Sequence, residues 1–276
     1  MPPLLLVDAP HLLYRAFHAL PDSITGPEGE PVNALLGSLN LLLQAVDEHE
    51  PRAVVLCFGA ESAEYRVEAL PEYHADRPPA PDALARQWDQ APGLYAAFGW
   101  TVVDSADHEA DDLLHSLAHA EVAAGGTALI FTGDRDLYQC VGDGIAVLMR
   151  GELVDAAEVE RRYGIPPALV PDFIALRGDP SDGIPGARGI GEKTAADLLR
   201  RHGSLEAAIA GAVRESRPGV RRALIDQADE LRAFKDIALL RDLDVTLPPD
   251  GPTDTERGAA AVRALGMRRL ADRLEP

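Results

Sequence analysis

Cysteine is almost absent from the chain. The two that occur in 276 residues, Cys57 and Cys140, each lie inside an apolar run. That excludes a disulfide framework or a thiolate zinc set and leaves two reduced core thiols. Any bound metal must therefore be held by oxygen. Long hydrophobic runs are missing as well: no window approaches the roughly 18 consecutive apolar residues of a membrane helix. The opening stretch Pro2 to Ala9 has no basic flank of the kind a signal peptide carries, so a soluble cytoplasmic protein is expected. Lysine is confined to positions 193 and 235, while arginine, alanine, proline and glycine are plentiful, a bias that fits a GC-rich genome and says nothing of mechanism. Positive charge is in deficit overall. A net charge of −19 argues against a polyanionic partner, because nucleic-acid affinity comes largely from neutralising phosphates. The objection weakens if the acids gather around bound cations, which reverse the local field, and if arginines concentrate where a backbone would run.

With 46% hydrophobic residues, the chain is able to bury one substantial core and a smaller second one. Short runs rich in Val, Ile and Leu (Leu4 to Val7, Ala53 to Phe58, Thr101 to Val103, Ala128 to Phe131, Ile145 to Met149) alternate with helical stretches. Such alternation predicts an α/β fold with a central, mostly parallel sheet flanked by helices. The helices are expected near Asn33 to Glu48, Pro81 to Phe98, Ala110 to Ala123, Ala156 to Tyr163 and Pro167 to Leu176. Residues between Glu61 and Asp82 look like a surface excursion that ends where Pro81 starts a helix. Beyond about residue 165 the strand signals stop. Helices over Glu192 to His202, Ser204 to Ala212 and Ala228 to Arg241 define a second, helical module, followed by a less regular tail whose Leu247 to Thr255 segment is loop. The division is an α/β core over 1–165 and a helical module with tail over 166–276.

In an open parallel sheet, ligands bind beyond the carboxyl ends of the strands. Acids fall there: Asp8 closes the first strand, Asp134 and Asp136 follow the strand ending near Phe131, and Glu109, Asp111 and Asp112 lead into a helix after Val103. Asp179 and Asp182 lie in the turn-rich segment GDPSDGIPG. Each has a plain alternative, since acids before a helix are often caps and acids in turns are commonplace. Four groups together would repel one another unless cations neutralised them, which favours Mg²⁺ or Mn²⁺, two or more ions. Such sites suit phosphoryl transfer, in which one metal activates water and a second stabilises the leaving oxygen.

The segment from Ile184 to Thr194, IPGARGIGEKT, opens a helix. A Walker loop fails here because Glu192 separates Gly191 from Lys193, and no third glycine completes a dinucleotide fingerprint. What remains is a helix-hairpin-helix type of turn, in which Gly189 and Gly191 let the backbone approach a DNA phosphate, or a plain connection between two helices. In the first case Arg188, Lys193, Arg200 and Arg201 add positive charge.

At this point the residues resemble the 5′ nuclease, or flap endonuclease, family, in particular its bacterial branch and the 5′-3′ exonuclease domain of DNA polymerase I. The likeness runs from about residue 3 to residue 240 through LLLVDAPHLLYRAFHALP, EYHADRPPAP, HEADDLLHSLA, FTGDRDLYQCV and YGIPPALVPDFIALRGDPSDGIPGARGIGEKTAADLL. No polymerase segment is appended, so a stand-alone form is expected. The resemblance implies that Asp8, Glu109, Asp111 and Asp112 serve one group of metal positions, and Asp134, Asp136, Asp179 and Asp182 the other. It implies that Gly186, Arg188, Gly189, Gly191, Lys193 and Thr194 belong to a helix-three-turn-helix that grips duplex DNA, with K⁺ on its carbonyls. It further implies that residues 61–88 form the arch or gateway region, where Arg66, His74 and Arg77 act at the scissile phosphate and Tyr73 stacks on a terminal base.

The implied activity is a structure-specific 5′ nuclease of replication and repair, acting at a free 5′ end or 5′ flap as a monomer of the cytoplasm and nucleoid. A non-catalytic DNA-junction binder is the alternative, and a PIN-type ribonuclease a more distant one. Two departures motivate the first alternative. Phe58-Gly59 stands where the family has Phe-Asp, and His74 where it has lysine. Histidine with an ordinary pKa near 6.5 is mostly neutral where lysine is charged. Slower or more pH-sensitive cleavage is expected, to be read by comparing pH-rate profiles of wild type and His74→Lys; identical profiles would discard the idea.

Overall fold

The computed structural model describes residues 1–275. Its apolar runs become one six-stranded sheet: β1 (Leu4–Asp8), β2 (Ala53–Cys57), β3 (Thr101–Val103), β4 (Ala128–Phe131), β5 (Ile145–Met149) and β6 (Glu152–Val154). The order is β3-β2-β1-β4-β5-β6, and every neighbouring pair is parallel except β5 and β6. Leu4 and Leu6 of β1 enter the core on one face, Leu5 and Val7 the core on the other. Both faces being covered, the strands read as continuous apolar runs. The sequence did not announce β6. It is three residues long, Leu153 is exposed, and it returns through Arg150 and Gly151, both left-handed, as a two-residue hairpin turn requires.

The first face is covered by α5 (Ala110–Ala123), α7 (Val170–Arg177), α8 (Glu192–His202) and α11 (Ala228–Ala238), and its core runs unbroken from the sheet into the helical module. The opposite face is covered by α1 (Ala9–Ala19), α2 (Asn33–His49) and α4 (Asp82–Ala97). Between them lie α3 (Glu64–Ala69) in the excursion, α6 (Ala156–Tyr163) after the sheet, and α9 (Leu205–Ala210) and α10 (Pro218–Asp226) in the module. The expected helix over Ala228 to Arg241 stops at Ala238, and that over Ser204 to Ala212 at Ala210, with a 3-10 turn after it at Ala212–Arg214. Residues 239–254 are irregular, and Arg52 fastens them at the bottom of the sheet through Asp250 Oδ1 and Pro248 O (2.9 and 3.0 Å). The tail then forms α12 (Thr255–Ala264) and α13 (Arg268–Leu274), whose Val262, Met267, Leu270 and Ala271 join the core under α4. Cys57 and Cys140 are buried and free. Among the described residues no helix is long and apolar enough to cross a membrane.

Candidate active site at the carboxyl edge of the sheet

Strand order reverses between β1 and β4, which opens a crevice at their carboxyl ends. Asp8 occupies it from β1. Its Oδ1 accepts from the His11 N–H (3.0 Å) and caps α1, while Oδ2 accepts from the Thr132 hydroxyl (2.7 Å) at the end of β4. Asp134 and Asp136 follow in the next turn, where the Asp136 N–H donates to Asp134 Oδ1 (2.8 Å). Asp111 reaches the crevice from the first turn of α5, and Asp179 and Asp182 enter from the loop after α7. Four chain segments thus bring their acids together.

The electrostatics record that crowding. Burial raises Asp134 to about 7, helped by Asp182, Asp8 and Asp179. Asp111 and Asp136 are held well above the usual carboxylate range by burial and then by their acidic neighbours. Asp182 goes the other way: burial would raise it, but hydrogen bonds and charge from His74 and Arg77 outweigh that and lower it. Asp111, Asp134 and Asp136, raised by burial and by neighbouring acids in an all-oxygen set, fit hard divalent cations. Among the described residues no group of three or more His, Cys, Asp or Glu side chains is already disposed to hold a metal ion. Arginine, tyrosine and backbone donors hold several of them instead. Metal loading should therefore release protons below and around pH 7, and affinity should rise with pH. Titration calorimetry with Mg²⁺ in buffers of different ionisation enthalpy would read this; a buffer-independent heat would refute it.

A pocket with room for little more than a water molecule, about 10 Å³, is lined by Arg66, Tyr73, Glu109, Asp111, Asp136 and Asp182, with Ile237, Ala238 and Leu240 as its apolar wall. The excursion covers it. Arg66 is 2% exposed, so it is not surface charge; its guanidinium spans both oxygens of Asp112 (3.0 and 2.8 Å) and pairs with Glu109 (3.1 Å). Asp112, at 0% exposure, also accepts from the Arg241 N–H (2.9 Å), so both its oxygens are taken up by Arg66 and backbone donors beside Glu109. Tyr73 is buried too. Its hydroxyl donates to Glu109 Oε2 (2.9 Å) and its ring stacks on His74 with centroids 3.8 Å apart. Stacking on a DNA base requires that ring to leave both partners. His74 itself is buried with φ 55°, its Nε2 3.2 Å from Asp182 Oδ1, and Arg77 donates to the same oxygen (2.9 Å). Asp179 is paired with Arg177 (2.9 Å).

Gly59 marks the departure from the family pattern. A Cβ there would stand 2.5 to 2.7 Å from backbone atoms of His108, Glu109 and Ala110, so the start of α5 fills the space a side chain would need. On the helical module, Gly189 (φ 75°) and Gly191 are exposed with nothing within 4 Å of an added Cβ, and Arg188 and Lys193 are exposed beside them. Thr194 is half-buried. Gly186 is different: it is buried, and an added Cβ would run into the Gly178 nitrogen, so its glycine serves packing within the loop.

Sequence reasoning passed over α1. Its signals were Asp8 as cap and Pro10 in the first turn. The helix presents Tyr14, 51% exposed with its ring against His18 (4.4 Å), and half-buried Arg15, less than two turns from Asp8. His11 lies over the loop between Thr132 and Asp134, close enough that a Cβ on Gly133 would meet its ring.

Acids converging in the switch crevice of a parallel sheet, beside a helical module with an open glycine turn, define an α/β protein built for metal-dependent phosphodiester chemistry. The chain belongs to the 5′-3′ exonuclease family: residues 3–164 match its N-terminal resolvase-like domain and residues 165–256 its C-terminal SAM fold. It is 38% identical to a 5′-3′ exonuclease of Streptomyces coelicolor, over 96% of this chain and 95% of that one. It is 39% identical to thermostable DNA polymerase I of Thermus thermophilus over 98% of its own length, but spans only 32% of the polymerase. Among solved structures, zinc-bound T5 5′-exonuclease superposes with a TM-score of 0.70 at 17% identity, covering 98% of this chain and 96% of that one. The catalytic core of Rad2 in complex with DNA substrate superposes at 0.66 and 16% identity, covering 99% and 91%. At those identities the two structures speak for the fold.

Proposed function

We propose that the protein is a structure-specific 5′ nuclease that hydrolyses DNA phosphodiesters at a free 5′ end or at the base of a 5′ flap. The observation that carries this reading is the convergence of Asp8, Asp111, Asp134, Asp136, Asp179 and Asp182 in one crevice, where burial and then the neighbouring acids raise Asp111, Asp134 and Asp136. These acids and Glu109 would hold Mg²⁺ or Mn²⁺, which supplies Lewis-acid stabilisation and activation of water when bound. The protein's own part is to position and to shield. Arg77 and His74, held by Asp182, would pass to the scissile phosphate as cations take over that carboxylate, and Arg66 would keep Glu109 oriented. The glycine turn would seat a backbone phosphate of the duplex, with K⁺ on its carbonyls and Arg188 and Lys193 beside it. A cytoplasmic monomer acting at the nucleoid in replication and repair completes the reading.

A labelled 5′ flap incubated with Mg²⁺ or Mn²⁺ is the test. Cleavage at the junction leaving a 5′-phosphate supports the proposal; binding without cleavage would favour the junction-binder alternative, and preference for a matched RNA flap would favour the ribonuclease.

Tyr14 is assigned the base-stacking role in the free protein's conformation, since its ring is exposed and that of Tyr73 is buried. Tyr14→Ala should weaken flap binding by about 1–3 kcal/mol, the usual value of one base-aromatic stack, without moving the melting temperature. Unchanged affinity, measured by fluorescence anisotropy, would return the role to Tyr73.

A further inference from the structure

The helical module carries a second cationic feature, distant from the glycine turn. Glu215 is 5% exposed, and its carboxylate is fully engaged: Oε1 accepts from Arg217 Nε (3.0 Å) and from the Arg217 backbone N–H (3.1 Å), Oε2 from Arg201 (2.8 Å). Arg221 donates to the Glu215 carbonyl (3.2 Å), and Asp197 lies 3.2 Å from both Arg201 and Arg217. The side chains of Arg201 and Arg217 nevertheless remain 44% and 41% exposed. A surface ion pair does not require its acid to be buried. A buried carboxylate holding two guanidinium forks instead fixes their outward N–H groups in a prearranged fan, the geometry suited to phosphate. Arg200, Arg214 and Arg222 are exposed nearby in sequence and form no ion pair among the described residues. Three arginines thus meet two acids in the cluster, in a chain whose net charge is −19.

Placement gives the feature its meaning. The α8 helix starts at the glycine turn and reaches Arg201 near its end, whereas α10 starts after Arg217 and ends at Gln227, whose Oε1 accepts from the Arg188 N–H (2.8 Å). The two helices therefore run antiparallel, with the turn at one end and the arginines at the other, about 15 Å apart at 1.5 Å per residue. That separation is the rise of some four to five base pairs at about 3.4 Å each.

We propose that the cluster of Arg201, Arg217 and Arg221 organised by Glu215 is a second phosphate seat, engaging the backbone of the duplex about half a helical turn from the glycine turn. The proposal rests on the nuclease reading, which supplies the duplex. It makes affinity depend on the length of the duplex arm and not on its sequence.

Binding of 5′-flap substrates by fluorescence anisotropy in chelator, over a salt titration, tests it. Each duplex arm is shortened in turn from more than one helical turn to less than half a turn. Arg201→Gln/Glu215→Gln/Arg217→Gln removes the cluster without stranding a buried charge, and Arg221→Gln is a milder second variant. On the long arms both variants should bind more weakly, the triple variant by roughly tenfold, the loss expected for a charged hydrogen bond. The slope of log K against log salt should fall by about one for each phosphate no longer neutralised. On the arm too short to reach the cluster, variants and parent should bind alike. Equal affinity and slope on all arms, for variants that melt like the parent, would overturn the seat while leaving the nuclease intact if the parent still cuts. A parent that neither binds nor cuts would overturn both.

Discussion

Asp136→Asn is expected to slow flap cleavage by roughly 10³-fold or more, the loss of the several kcal/mol of charge stabilisation that a bound metal supplies. The same variant should melt at a higher temperature than the parent in chelator at alkaline pH. Burial first, and then Asp134, Asp182 and Asp179, raise the Asp136 carboxyl well above its ordinary value. A group with a raised folded-state pKa binds more protons folded than unfolded between the two values, so stability falls as pH climbs through that window. The amide cannot ionise and escapes the penalty. Its advantage should be absent below a pH of about 4, the ordinary carboxylate value, and widen as pH climbs above it until the folded-state carboxyl itself ionises. Scanning calorimetry at several pH values, alongside the flap assay, checks both limbs. Asp134→Ala and Asp136→Ala should share the loss of cleavage with the fold preserved; turnover retained in both would contradict the site.

Arg66→Ala should be destabilising by about 3–5 kcal/mol, the usual cost of leaving one member of a buried ion pair without its partner. Asp112 would keep a fully buried carboxylate with only backbone and tyrosine donors, and the link to the Ile237 carbonyl on α11 (3.1 Å) would go with it. Had Arg66 been a solvated residue of a surface arch, the change would stay within about 0.5 kcal/mol. Urea unfolding separates the two expectations. Adding Asp112→Ala should recover part of the loss, because the stranded charge is then gone; an Arg66→Ala variant as stable as the parent would remove the ion pair from the account of how the excursion docks.

The elements that could be read from the sequence are those whose pattern is set locally. Five parallel strands stood out because burial on both faces leaves them apolar but for Asp8 and Thr101 at strand ends, and α5, α6 and α8 matched their expected bounds because caps and apolar spacing mark them. The acids were legible through their position after strands. What could not be read is which donors hold an acid. Asp111 and Asp112 are neighbours of one type, yet one faces the crevice and the other faces Arg66 from a segment 46 residues away. Tyr73, a candidate for a solvent-facing ring, is buried because Glu109 accepts its hydroxyl, and no spacing encodes that contact. Helix α1 was overlooked because its cap, Asp8, is also the last residue of a strand.

The path of the chain has a mechanical outcome. After α11 the polypeptide does not end in the helical module; it crosses beneath the sheet, is fastened at Arg52, and closes with α12 and α13 against α4. The module is therefore spliced into the nuclease body and tied down where it leaves and where it returns, over an apolar seam shared with the sheet. A part hinged at one end swivels; a part fixed at both holds its pitch. The interval between the glycine turn and the acid crevice is in this way built into the frame, and under the proposed function it works as a ruler.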